Sequence, residues 1–237
     1  MKFGVVIFPG SNCDQDMVFA LQTVFDQEVE ILWHKSEKIN GYNEEDWIML
    51  PGGFSYGDYL RAGAIARFSP IMKEVISFAE NGGNVLGICN GFQILCEAGL
   101  LPGALLPNDG QKFICHNVYL QTVDHESKVT SQIENGKTIM LPIAHAEGNY
   151  FADGSTLENM KRNKQILFKY GDKENNVTSE TNPNGSIENI AGICNEQRNV
   201  YGMMPHPERA VDARLSNEDG RYIFESILTK VQDQVQV

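Results

Sequence analysis

Short runs of Val, Ile, Leu and aromatic residues recur along the chain, each closed by Gly, Pro, Asn or Asp. They fall at 3–8, 28–33, 47–50, 84–88, 113–120, 138–144, 165–170, 190–194 and 199–204. Runs of this length bounded by turn formers predict strands. Between several of them the apolar spacing lengthens to helical periods. Met17, Leu21 and Phe25 predict a helix over 14–25, with Asn12 or Asp14 as its cap. Pro70 opens a second helix that closes at Asn81-Gly82-Gly83. A third follows Asn90 and stops at Gly99, and a last one spans about 221–231. Strand–helix alternation over the first hundred residues predicts parallel pairing through right-handed crossovers. From about 110 to 145 the pattern becomes antiparallel, with Asn135-Gly136 as a tight hairpin turn. The expected class is α/β, a mostly parallel open sheet flanked by helices with a smaller antiparallel portion. No repeat, low-complexity stretch or linker interrupts the pattern, so residues 1–237 are expected to form a single domain.

Composition narrows the function. A formal charge of −12 argues against nucleic acid and anionic membrane as partners, because neither finds a basic stripe to grip. No apolar run approaches the roughly 18 residues that a membrane-spanning helix needs. The opening run Lys2–Phe8 is too short for a signal core and is turned by Pro9-Gly10-Ser11-Asn12. Five cysteines (13, 89, 96, 115, 194) with no Cys-x-x-Cys spacing suggest a reduced, cytoplasmic chain without a zinc cage. Gly136-Lys137-Thr138 resembles the end of a phosphate-binding loop, but Ser131 stands where the loop needs its first glycine. No Gly-x-Gly pair occurs, so neither ATP nor NAD is expected by those routes.

The candidate chemistry centres on Gly87-Ile88-Cys89-Asn90-Gly91. An apolar strand enters this segment and a helix former leaves it, the pattern of a Gly-x-nucleophile-x-Gly elbow with cysteine in the place of serine. Such a turn lifts the thiol to the positive end of a helix. A thiol nucleophile needs an imidazole, and the imidazole needs a group that fixes its tautomer. Of five histidines, His34, His116 and His125 have no acid at close spacing, whereas His145-Ala146-Glu147 and His206-Pro207-Glu208 do. His206 is preferred, because prolines at 205 and 207 stiffen the segment that the strand at 199–204 delivers. His145 is read as shaping the pocket rim. For the oxyanion, the candidate donors are the N–H of Asn90 and those of Pro51-Gly52-Gly53, at the end of a neighbouring strand.

The Pro51-Gly52-Gly53 loop, the elbow 87–93 and the late His206-Pro207-Glu208, coming along the chain in that order, resemble the class I (triad) glutamine amidotransferases. Phe8–Asp14, Gly52–Ala66, Asn182–Ser186 and Met203–Arg209 narrow the resemblance to a glutaminase-subunit branch serving purine biosynthesis. Phe92 stands where many relatives in the wider family carry histidine. The resemblance implies a flavodoxin-like sheet and hydrolysis of L-glutamine by Cys89, His206 and Glu208. It further implies Gly52, Gly53 and Asn90 at the oxyanion and Gln93 holding substrate. It implies no cofactor on this chain, with ATP and Mg on a large synthetase subunit that receives the ammonia, and a small bridging subunit between the two. Two alternatives stand beside it: a glutaminase serving another pathway, and a non-enzymatic cysteine redox sensor or chaperone of similar fold.

Overall fold

The structure is a computed structural model, and it describes residues 1–229. Its centre is a nine-stranded sheet. The strands are β1 (Lys2–Ile7), β2 (Glu28–Trp33), β3 (Trp47–Leu50), β4 (Asn84–Ile88), β6 (Ile114–Thr122), β7 (Thr138–His145), β9 (Ile166–Gly171), β10 (Ile190–Cys194) and β11 (Val200–Met203). Their spatial order is β2-β1-β3-β4-β11-β10-β9-β6-β7. Pairings from β2 across to β11 are parallel, and those from β11 to β7 are antiparallel. The antiparallel portion thus continues the same sheet. A separate two-stranded ribbon joins β5 (Ala104–Leu106) to β8 (Asn149–Phe151).

β3 and β4 are buried at every position, as strands covered on both faces must be. The covering helices are α1 (Asp14–Val18), α2 (Pro70–Glu80), α3 (Asn90–Glu97), α4 (Gly154–Arg162) and α5 (Arg221–Leu228). α1 continues through Phe19–Val24 in wider π-helical turns, where Phe25 N–H donates to Ala20 O, five residues back, at 3.1 Å. Met17, Ala20 and Leu21 put its apolar stripe into the core. Pro70 takes the first position of α2, and Gly99, at φ 76°, ends α3 as expected.

Several expectations need correction. Neither Asn12 nor Asp14 caps α1; Cys13 holds the cap position and makes no side-chain capping bond. Asn135-Gly136 does form a tight turn, closed by Lys137 N–H to Glu134 O at 3.0 Å, but it is not a hairpin. β6 and β7 are joined by all of residues 123–137, in which Val129 and Ile133 bury themselves as a small plug. β5, β8 and α4 escaped the pattern because they are short or largely polar. The last helix ends at Leu228, and positions 230–231 lie outside the described residues. Among the described residues no helix is long and apolar enough to cross a membrane.

This topology positions the site. β4 lies between β3 and β11, all three parallel, so the loops after Leu50, Ile88 and Met203 leave the same edge. Such carboxyl ends form the crevice of an open α/β sheet. The antiparallel half then curls back: Pro142, on edge strand β7, presents its carbonyl to His206 N–H at 2.8 Å. α3 packs so tightly on β3 that a Cβ on Gly91 would overlap the carbonyl of Leu50. Gly91→Ala should therefore cost at least about 3 kcal/mol, read from the midpoint of urea unfolding.

Candidate active site

Cys89 sits where β4 hands over to α3, and its backbone is strained. Its φ of 50° and ψ of −106° lie in a region that side chains rarely occupy. The flanking glycines make the turn possible by removing side chains from a closed contact: a Cβ on Gly87 would stand 2.6 Å from Gly91 C and from Leu95 Cδ1. Cys89 N–H is tied to Met203 O at 2.8 Å, fastening the elbow to β11. The residue is 5% exposed, and its Sγ approaches Ala144 O at 3.7 Å.

His206 follows β11 and reaches the same place. Its Nδ1 and Glu208 Oε1 are 2.6 Å apart, and both residues are 1% exposed. That bond fixes the ring through Nδ1. His206 Nε2 and Glu208 Oε2 have no hydrogen-bond partner among the described residues. Burial works against a charge on the ring, but the Glu208 carboxylate and the Cys89 sulfur outweigh it and raise the His206 pKa well above its ordinary value. Gly52 closes the group. A Cβ there would lie 2.7 Å from His206 Cε1, 3.3 Å from Cys89 Cβ and 3.2 Å from Cys13 Sγ. Imidazole, elbow and glycine loop thus meet around one point, which only a residue without a side chain can border.

The remaining predicted residues surround this centre. Asn90 is fully buried: its Oδ1 accepts from Ser55 N–H at 3.0 Å, and its Nδ2 donates to Asp58 at 3.1 Å and to Gln93 Oε1 at 2.9 Å. Gln93 Nε2 donates in turn to Glu147 O at 2.6 Å. Gly53, at φ 143°, packs against the first turn, where a Cβ would lie 2.7 Å from Gly10 O and Asn12 N. Among the described residues, the N–H groups of Gly52, Gly53 and Asn90 enter no protein hydrogen bond. They remain available to an oxyanion.

Of the two His-x-Glu segments, the second builds a pair and the first does not. Glu147 Oε2 accepts from Ala62 N–H at 3.2 Å, away from its own histidine. His145 is instead held by Asn108 Oδ1 at 3.0 Å and Asn184 Nδ2 at 3.5 Å. Burial, and then the charges of His206 and His116, push its pKa down to about 4, so it is neutral near pH 7. It is 3% exposed, a buried brace beneath the end of β7 more than a rim residue.

Three further side chains were not singled out from sequence. Asp58 lies beside Asn90, and burial, with the nearby Glu147 charge, raises its pKa to about 6. Cys13 accepts from Arg209 Nη2 at 3.1 Å, and ligand-type atoms of Cys13, His206 and Glu208 lie within 4.8 Å of one another. Asn184 braces the His145 segment and also donates to Gly148 O at 2.8 Å. All three fall in stretches that carried the family resemblance, the only signal that pointed to them.

The CobB/CobQ-like glutamine amidotransferase domain profile matches residues 1–223, and the chain belongs to that family. Within it, the chain is similar to the phosphoribosylformylglycinamidine synthase subunit PurQ of Moorella thermoacetica. The two are 54% identical over 228 residues, covering 96% of this chain and 95% of the relative. It is likewise similar to subunit PurQ of Salinibacter ruber, 51% identical over 230 residues, covering 97% of each. Among solved structures, PurLQS from Thermotoga maritima contains a chain with TM-score 0.84 and 42% identity, covering 96% of this chain and 97% of that one. A glutamine amidotransferase from the same organism, at TM-score 0.58 and 13% identity, shares the fold alone.

The backbone at residue 89 generates a prediction of unusual sign. Cys89→Gly should be more stable than Cys89→Ala by about 1 kcal/mol, because glycine adopts the observed φ and ψ without strain. Parallel urea titrations of the two variants check it; an alanine variant equal or superior to glycine would mean that the turn is not strained.

Proposed function

We propose that this chain is the glutaminase subunit of a phosphoribosylformylglycinamidine synthase in purine biosynthesis. The observation that carries the reading is the meeting of Cys89, His206 and Glu208 at the strand ends of a chain so similar to subunit PurQ proteins. The Cys89 thiolate attacks the side-chain amide carbon of L-glutamine. Backbone N–H groups of Gly52 or Gly53 and of Asn90 hold the developing oxyanion. His206, charged and oriented by Glu208, protonates the leaving nitrogen, and the tetrahedral intermediate collapses to a γ-glutamyl thioester and ammonia. His206, now neutral, takes a proton from water, which attacks the thioester and releases glutamate and the thiol. Gln93 positions the substrate from the first turn of α3.

Asp58 supplies negative charge for the ammonium group of glutamine. With its pKa at about 6, Asp58 is protonated below that pH and acquires the charge only above it. The profile of kcat/KM reports groups of the free enzyme, so it should rise with pH through about 6. Asp58→Asn should flatten that limb and raise KM for glutamine about tenfold, with a smaller effect on kcat.

The ammonia passes to a separate large synthetase subunit, which holds ATP and Mg, with a small bridging subunit between them. This chain binds no cofactor of its own and works in the cytoplasm. The lack of a phosphate loop supports that division of labour. So does the surface beside the site, where Phe54, Tyr59, Leu60 and Phe113 are exposed, Leu60 to 92%. The decisive test is made in the reconstituted complex. Cys89→Ala should lower glutamine-dependent synthesis at least a thousandfold, roughly, and leave ammonia-dependent synthesis intact. Equal loss of both activities would refute the assignment.

A further inference from the structure

Cys13 takes no part in the reaction above, yet it lies against the group that performs it. It is 3% exposed, at the end of the first turn, and its N–H donates to Gly52 O at 3.3 Å. Its sulfur stands 3.2 Å from the point that a Gly52 Cβ would occupy, and Cys89 Cβ stands 3.3 Å from that same point. The two cysteines therefore both border the open side of Gly52. His206 Cε1, 2.7 Å from the point, completes the ring, and the unpartnered Nε2 of His206 is available to shuttle a proton between the sulfurs. Both cysteines are free thiols. On the sulfur's other side Arg209 Nη2 donates to Cys13 at 3.1 Å, and Asp16 anchors that guanidinium through its Nε at 2.9 Å.

We propose that Cys13 is a resolving thiol that captures oxidised Cys89 in an intramolecular disulfide. The inference rests on Cys89 being the reactive nucleophile. A hydroperoxide accepts two electrons from the Cys89 thiolate; its O–O bond breaks, a Cys89 S–O bond forms, and water or alcohol leaves. Cys13 then attacks the sulfur of the Cys89 sulfenic acid. An S–S bond forms, the S–O bond breaks, and the departing hydroxide takes a proton by way of His206, leaving as water. The disulfide blocks attack on glutamine and keeps Cys89 from irreversible sulfinic acid. A small thiol reductant regenerates both sulfurs. A nucleophilic thiol with a second cysteine beside it is the arrangement in which a sulfenic acid condenses to a disulfide.

The test exposes the full-length chain to hydrogen peroxide, follows it by non-reducing peptide mapping, and then treats it with dithiothreitol. Wild type should yield a peptide cross-linking Cys13 to Cys89 and regain most of its own starting activity on reduction. Cys13→Ser should yield none, and its irreversibly lost fraction, scored against its own unoxidised activity, should be about fivefold higher or more, with Cys89 recovered as sulfinic acid. Sulfinic acid at Cys89 of wild type, without the cross-link, would overturn the proposal. Mapping of wild type alone decides the matter if the serine variant does not fold. A glutamine-analogue alkylator applied to unoxidised wild type separates two failures. Labelled Cys89 without a cross-link sinks only the resolving role, whereas unlabelled Cys89 sinks the glutaminase reading beneath it.

Discussion

The structure depends on one backbone position. Residue 89 must leave a buried strand and enter a helix within a single peptide unit, and it does so at φ 50° and ψ −106°. An isolated peptide would relax out of that conformation, at a gain of order 1–3 kcal/mol. Here it cannot, because α3 is pressed onto β3 through Gly91 and the amide of Cys89 is tied to Met203. The core formed by β3, β4, β11 and α3 supplies the free energy that holds the strain. Fold stability and thiol presentation are thus one constraint, which is why both elbow glycines are closed to any larger residue.

Around that position the structure buries charge that an ordinary core would exclude. His206 and Glu208 are each 1% exposed, and among the described residues His206 Nε2 and Glu208 Oε2 have no hydrogen-bond partner. Removing an ion pair from water costs several kcal/mol unless close geometry compensates it. The short Nδ1–Oε1 contact supplies that geometry, and the rigid Pro205-His206-Pro207 segment holds the ring at little entropic cost. His145 reaches the opposite state: burial and then the charges of His206 and His116 push its pKa down, and its side-chain partners are the amides of Asn108 and Asn184, not a carboxylate. The two histidines therefore differ in charge by environment alone.

How much of this was legible in the sequence follows from how local each signal is. The parallel strands, α2, α3 and the elbow were readable because their periodicity, proline and glycine signals lie within a dozen residues. The His206–Glu208 pair was readable for the same reason, being two positions apart on a stiff segment. The curl of the antiparallel half was not, since it depends on Pro142 meeting His206 across 64 positions, the difference of the two residue numbers. Glu147 looked equivalent to Glu208 in spacing and proved otherwise, because Ala62 N–H captures its carboxylate. Cys13 was invisible as a neighbour of Cys89, because Gly52, which brings them together, comes from a third strand end.

The loop after β3 links these local facts to what surrounds the molecule. Tyr56, Asp58 and Leu60 all carry positive φ although none is glycine, so this stretch holds more backbone strain than an ordinary connection. Asp58 points inward to Asn90, next to the elbow, while Tyr59 and Leu60 are 73% and 92% exposed. An apolar side chain held almost wholly in water beside a site is costly for a chain alone and favourable only when another surface covers it. Whatever covers Leu60 would bear on Asp58 through two peptide bonds, and on the Asn90–Gln93 amide chain through one hydrogen bond. A surface that covered Leu60 would therefore act on this loop where its backbone is already strained, next to the Asp58–Asn90 contact.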